Sequence, residues 1–155
     1  MNSPVSLDAP QNCLIDGAWV AASQLIDVAC PSNGEVFAQI SAGGAAEIDA
    51  AVASGKAAFA DWAAANPVDR GRVLTRLGTL IARDAEALAW IEAQDTGKPI
   101  AQARADMVAA ARYFEYFGGA ADKVHGETLP YNAGYQVQCW YEPYGVVGVI
   151  IPWNY

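Results

Sequence analysis

Basic residues are scarce in this chain. Nine Lys and Arg stand against seventeen Asp and Glu, which gives a formal charge of −8 and an isoelectric point near 4.4. Phosphate recognition needs clustered cations, so nine scattered ones argue against a nucleic-acid surface or an anionic membrane surface. Cysteine is also sparse. Cys13, Cys30 and Cys139 form an odd set with no C-x-x-C or His-paired spacing, which indicates neither a zinc site nor a disulfide framework and fits a reducing cytoplasmic setting. No apolar run approaches the ~20 residues of a membrane span. Residues 1–12 lack both the basic start and the apolar centre of an export signal, so neither export nor a membrane span is expected. Repeats, low-complexity tracts and flexible linkers are missing too.

What is present is apolar material, 54% of 155 residues. A chain of this size typically hides about 70% of its extended surface, so one core is affordable and nothing demands a second domain. Much of that fraction is Ala, which buries little area. The core therefore depends on five Trp, seven Tyr, four Phe and the branched aliphatics.

Turn chemistry divides the first part into hairpins. Asp16-Gly17 between two short apolar runs favours a two-residue turn with positive φ, and Pro31-Ser32-Asn33-Gly34 separates strands at 25–30 and 35–40, with Asn-Gly supplying left-handed positions. From Ala45 the period becomes helical. Ile48, Val52, Phe59 and Trp62 share one face, then Asn66-Pro67 reads as N-cap and first position of a second helix striped by Val73, Leu74, Leu77, Leu80 and Ile81. Asp84 is placed to cap a continuation through Leu88 and Ile91. Asp95-Thr96-Gly97-Lys98-Pro99 breaks the pattern, and Ile100, Met107, Ala111, Phe114 and Phe117 stripe the next helix, whose end Gly118-Gly119 loosens. Strands follow at 128–131 and 135–141.

Residues 145–151 carry small and β-branched side chains without polar alternation and run into Pro152, the pattern of a strand packed on both faces. Asn154 then falls just past the strand's carboxyl end, where open α/β sheets bind ligands and where a neutral amide can donate hydrogen bonds. The plain alternative is an apolar Pro-Trp-Asn turn.

Together these residues resemble the amino-terminal part of the aldehyde dehydrogenase superfamily. The resemblance rests on IDGAWV at 15–20, PSNGEV at 31–36, DTGKP at 95–99, ADKVHGET at 121–128 and EPYGVVG at 142–148 continuing to PWNY at 152–155, in the family's order. It implies an α/β fold that is incomplete: hairpins over 14–40, a helical region over 45–120, oligomerisation-type strands over 126–143, and over 145–155 the first strand and tip of the cofactor-binding region, all within a single unit over 1–155.

The resemblance also implies a reaction, the NAD- or NADP-dependent oxidation of an aldehyde to a carboxylic acid. A thiolate attacks, the alkoxide is stabilised, hydride leaves to the nicotinamide cofactor and a carboxylate activates water. Asn154 matches the alkoxide-stabilising amide. Ile151, Pro152 and Trp153, with Asn154, match the segment lining the cofactor cleft. Asp95 matches the family's monovalent-cation aspartate, with carbonyls near Val28 and Ala29 as co-ligands, against the alternative of an Asp ending a helix. Val108, beside Met107, matches a helix flanking the substrate tunnel, against simple core packing. The PWNY segment is similar to enzymes of betaine-type or related small aldehydes. Cys139 has no neighbour to activate it and reads as packing; His125 reads as solvated or capping.

The nucleophilic cysteine, general base and cofactor lysine of the family lie beyond residue 155, so the expectation is a truncated piece, inactive alone, of a cytoplasmic homo-oligomeric enzyme. The competing expectation is a non-catalytic remnant that pairs its exposed strands with a full-length relative.

Overall fold

The computed structural model describes residues 7–152 and 154–155 of the chain. Two antiparallel hairpins open it. Strands β1 (Cys13–Ile15) and β2 (Ala18–Val20) set Leu14 opposite Trp19 across a turn in which Asp16 and Gly17 take φ of 52° and 73°. Both central residues are left-handed, the geometry whose twist matches the flanking strands. Strands β3 (Leu25–Ala29) and β4 (Val36–Ser41) follow, with a register shift between Val28 and Ala29, and Gln11 bridges Ile40 on the far side. Only Gly34 is left-handed in the β3–β4 turn, at φ 76°. Asn33, expected to share that role, instead stitches the loop: its side-chain carbonyl accepts from the Glu35 amide at 3.1 Å and its amide nitrogen donates to the Glu35 carboxylate at 2.7 Å.

Four helices fill residues 45–120 with short breaks: α1 (Ala45–Ala64), α2 (Pro67–Arg83), α3 (Ala85–Thr96) and α4 (Ile100–Ala120). Local chemistry explains the boundaries. Glu47 reaches back to accept from the Gly44 amide at 2.8 Å, half of a capping box, and Asn66 accepts from the Val68 amide at 3.0 Å with Pro67 opening α2. Asp84 stands at the N-cap of a separate helix α3 rather than extending α2, but its side chain makes no cap bond. Its carboxylate is taken by Arg83 in a two-bond fork of 2.8 and 2.7 Å. Gly97 closes α3 at φ 74°, and Pro99 precedes the first turn of α4.

The centre of the fold is the crossing of α2 on α4. Gly71 and Gly78 are buried on α2, and Ala103 and Ala111 on α4. An added Cβ on Gly71 would stand 2.3 Å from the Gly118 carbonyl oxygen, and one on Gly118 would stand 2.5 Å from Thr75 Oγ1. Gly118, expected to loosen the helix end, is therefore a contact point between the two backbones. Small residues let the helices approach, at the cost of a thin core. Among the described residues only Ala38, Ala89, Ala103 and Ala111 are buried apolar side chains, and no large side chain is fully enclosed. The expectation of a core built on aromatic residues fails here, because Tyr113, Tyr116, Phe117 and Trp62 face outward.

After α4 come β5 (Glu127–Leu129) and β6 (Val137–Cys139), an antiparallel pair shorter than the sequence suggests. The expected strand at 145–151 does not form. That stretch is irregular and mostly exposed, reaching 93% at Ile150. A strand exists only as part of a hydrogen-bonded ladder, and among the described residues no strand lies beside this one. It rests instead on α1, where Val146 Cγ2 occupies the space above Gly55, 2.9 Å from the position of an added Cβ. No helix is long and apolar enough to cross a membrane among the described residues.

Candidate functional site

The tip of the chain lies against the corner where α3 gives way to α4. Ile151, Pro152 and Tyr155 from the tip, with Glu92, Asp95 and Thr96 from α3, enclose a hollow of about 290 Å³. The Gly97 break ends α3 so that Glu92, Asp95 and Thr96 of its last turns line the hollow with the tip. Gly97 is required there twice over: its φ is positive, and an added Cβ would meet the Pro31 ring at 2.9 Å.

Under this corner lies a charged cluster. Lys98, whose side chain is 8% exposed, donates to Glu92 Oε1 at 2.6 Å and to Asp106 Oδ2 at 2.8 Å, so its ammonium ties α3 to α4. The same nitrogen stands 4.2 Å from the centroid of the Tyr155 ring. Gln102 Nε2 donates to the other Asp106 oxygen at 3.0 Å. Burial alone would lower the affinity of Lys98 for its proton, but the hydrogen bonds to Asp106 and Glu92, with their charges, outweigh it and leave the ammonium above its ordinary value. Asp106 moves the opposite way. The Lys98 hydrogen bond holds its carboxyl below the usual range against the opposing effect of burial, helped by Gln102, the Lys98 charge and the Tyr155 hydroxyl. Glu92 Oε2 is buried and has no hydrogen-bond partner.

Asn154, adjacent to Tyr155, is exposed and is not among the residues that line the hollow. Ile151, 72% exposed, and Pro152 form an apolar wall of the hollow. Trp153 lies outside the described residues. Asp95 faces the same hollow, while Val28 is half-buried in β3 and does not line it. Among the described residues no three His, Cys, Asp or Glu side chains cluster as a metal site. Val108 is 60% exposed on α4 and stands apart from the hollow; Met107 beside it is half-buried. Cys139 is exposed on β6. The His125 ring nitrogen Nδ1 lies 3.2 Å from the Gly126 carbonyl oxygen, a local contact in an exposed connection.

Sequence reasoning gave no role to Lys98, Glu92 or Asp106, reading the segment at 95–99 as a helix break and a family motif in which Asp95 alone had a site role. A signal existed. A lone Lys between Gly and Pro, with an acid one turn and a half before it and another two turns after it, places opposite charges on the facing sides of two helices joined by a tight corner.

The aldehyde dehydrogenase family profile matches residues 19–155. An aldehyde dehydrogenase of Aspergillus niger is 40% identical over 154 residues, covering 97% of this chain and 31% of the relative. Betaine aldehyde dehydrogenase of Bacillus subtilis is 37% identical over 153 residues, covering 94% and 31%. A crystal structure of a betaine aldehyde dehydrogenase variant from Staphylococcus aureus, in complex with NAD+, superposes with a TM-score of 0.79 at 30% identity over 86% of this chain and 28% of that one. The chain thus spans about three tenths of the length of these relatives, and its mixed helices and strands form part of their fold. With a family profile running from Trp19 through the Asn154 tip, this chain belongs to the aldehyde dehydrogenase family.

Proposed function

We propose that these residues serve as part of an enzyme that oxidises an aldehyde to a carboxylic acid with NAD or NADP, and that Asn154 is the amide that steadies the alkoxide. The observation that carries the reading is the position of Asn154: exposed, in the same short segment as Ile151, Pro152 and Tyr155, which line the hollow, and covered by the family profile. A neutral donor fits the task, because it stabilises negative charge as it develops without binding a ground-state anion. The dinucleotide supplies the hydride acceptor. Ile151 and Pro152 exclude water from one face of the reacting centre, and Asn154 donates its side-chain N–H to the oxygen that becomes negative when a thiolate adds to the aldehyde carbon.

Residues 1–155 alone are expected to be inactive, since the reaction needs a thiolate at the site and none of Cys13, Cys30 and Cys139 lines the hollow beside the tip. We further assign the enzyme to the cytoplasm, expect a homo-oligomer joined through the exposed β5–β6 pair, place a monovalent cation at Asp95 with the Val28 carbonyl, and place Val108 beside the substrate tunnel. A small aldehyde of betaine type remains the favoured substrate.

The test is a fusion in which residues 1–155 replace the matching segment of the Bacillus subtilis betaine aldehyde dehydrogenase. Reduced-cofactor absorbance is followed with a panel of aldehydes. Turnover is expected, and Asn154→Ala should lower kcat about 100-fold or more, the usual loss for one such donor. A folded fusion without turnover overturns the reading, as does full activity after Asn154→Ala.

The exposed run at 146–151 favours a second reading, an interaction module that docks on a full-length relative. Co-elution of the 155-residue chain with such a relative supports it, and separate elution removes it.

A further inference from the structure

We infer that Lys98 is a positioning residue for Asn154, acting through the ring of Tyr155; the inference rests on the alkoxide-stabilising role proposed above. An ammonium has three N–H donors and no acceptor. Two of them are spent on Glu92 Oε1 and Asp106 Oδ2, one on each helix, which fixes the direction of the third side of the group. That side meets the Tyr155 ring, 4.2 Å from its centroid. A cation over an aromatic face is held most firmly where water is excluded, and the Lys98 side chain is 8% exposed.

Besides this contact, the Tyr155 hydroxyl hydrogen-bonds Asp106, itself held by Lys98. The tip makes no ladder with another strand among the described residues, and its apolar side chains from Val147 to Ile151 are exposed. Val146 on Gly55 anchors its start, and Tyr155 on Lys98 anchors its far end. Asn154 is the residue joined directly to that second anchor, one peptide unit from Tyr155. Fixing the ring fixes the plane of the adjoining peptide and so the point from which the Asn154 side chain projects.

The arrangement is also dearer than stability requires. An ion pair withdrawn from water is weak evidence for stability, since apolar residues of similar volume join two helices as well. Here Lys98 is nearly covered while Glu92 and Asp106 keep 21% and 15% exposure, and the Glu92 Oε2 atom is left without a partner. A rigid cation aimed at the tip gives that cost a purpose.

Two measurements separate this inference from the functional reading beneath it. In the 155-residue chain, NMR is expected to find the Lys98 Hε protons shifted upfield by the aromatic ring; Tyr155→Leu abolishes the shift and Tyr155→Phe keeps it. In the fusion enzyme, Lys98→Met is expected to lower kcat about tenfold with the KM for cofactor unchanged within about twofold, as small misplacements of a reacting group do. Lys98→Arg, which also stacks on rings, restores most of the rate. Tyr155→Leu removes the Tyr155 hydroxyl from Asp106 but leaves Lys98 paired with Glu92 and Asp106, so it carries the same kinetic test if Lys98→Met fails to fold. The deciding readout is the double variant. Added to Asn154→Ala, Lys98→Met or Tyr155→Leu should cost less than about a further twofold, because a positioning residue has nothing left to position. A Lys98 shift unaffected by Tyr155→Leu, or losses that multiply in the double variant, overturns the positioning role while leaving the enzyme reading intact. A folded but inactive fusion removes the enzyme reading and the positioning role with it, although the contact itself is still read by NMR.

Discussion

Asp106 carries a signature that acid titration can read. Its carboxyl is held below the ordinary range by Lys98, so the folded state favours the charged form more than the unfolded state does. For a depressed carboxyl the stabilising contribution is complete above the unfolded value near 3.9 and disappears as pH falls through the lower folded value. Lys98 has the complementary sign: its contribution is complete below the ordinary lysine value and is lost only as pH rises through its raised one. Urea midpoints measured from pH 7 down to pH 2 should therefore fall on the acid limb, and Asp106→Asn should flatten that limb while lowering the plateau at neutral pH. An unchanged acid limb in Asp106→Asn would mean that the pair is not formed in solution. At this scale the sequence was partly legible. Asn66, Pro67, Asp16 and Gly17 act through their own backbone, and their roles followed from residue type. Lys98, in the break between α3 and α4, acts through Glu92 on one helix and Asp106 on the other, and the direction in which two helices face each other is not written in either one.

Helices α2 and α4 meet through glycine, and the substitution of two glycines in them should have opposite effects. A Cβ on Gly71 would lie 2.3 Å from the Gly118 carbonyl oxygen, a backbone atom that cannot swing away, so Gly71→Ala must part the helices. Overpacking of this kind costs about 1–3 kcal/mol, which exceeds the gain of roughly 1 kcal/mol from replacing a helical glycine. Gly119 is the internal control. Nothing lies within 4 Å of its Cβ position, so Gly119→Ala keeps only the helical gain and should raise the urea midpoint as Gly71→Ala lowers it. Equal shifts from both variants would show that the α2–α4 approach is looser than described. Helix positions were legible from the 3.6-residue period and from capping residues, and hairpins from Asp-Gly and Asn-Gly. The run at 145–151 misled for a physical reason: its composition suits a buried strand, but a strand is a relation between segments, and composition does not supply the neighbour.

For a protein of this mass a compact fold exposes about 7,500 Å². This chain exposes 11826 Å², roughly one and a half times as much, with Trp19, Trp140, Tyr141, Val149 and Ile150 among the open side chains. Apolar patches of that extent on a soluble monomer mark surfaces that other protein covers. The charge of −8 opposes contact between copies, but charge repulsion between exposed groups is screened over about 8 Å at physiological salt, whereas apolar burial is not. Salt should therefore promote association. Sedimentation of the 155-residue chain is expected to give a mass that rises with concentration, and to rise further at 0.5 M than at about 0.05 M salt. Replacing Val149 and Ile150 by Lys and Glu should reduce both this association and the binding of an apolar dye, with the helical circular dichroism unchanged, because neither side chain belongs to the α2–α4 core. In a self-contained fold the same pair of changes would be silent in sedimentation. A chain that stays monomeric at high salt and binds no dye would mean that its open apolar surface is covered by rearrangement within the molecule, and the hollow between α3 and the tip would have to be redrawn with it.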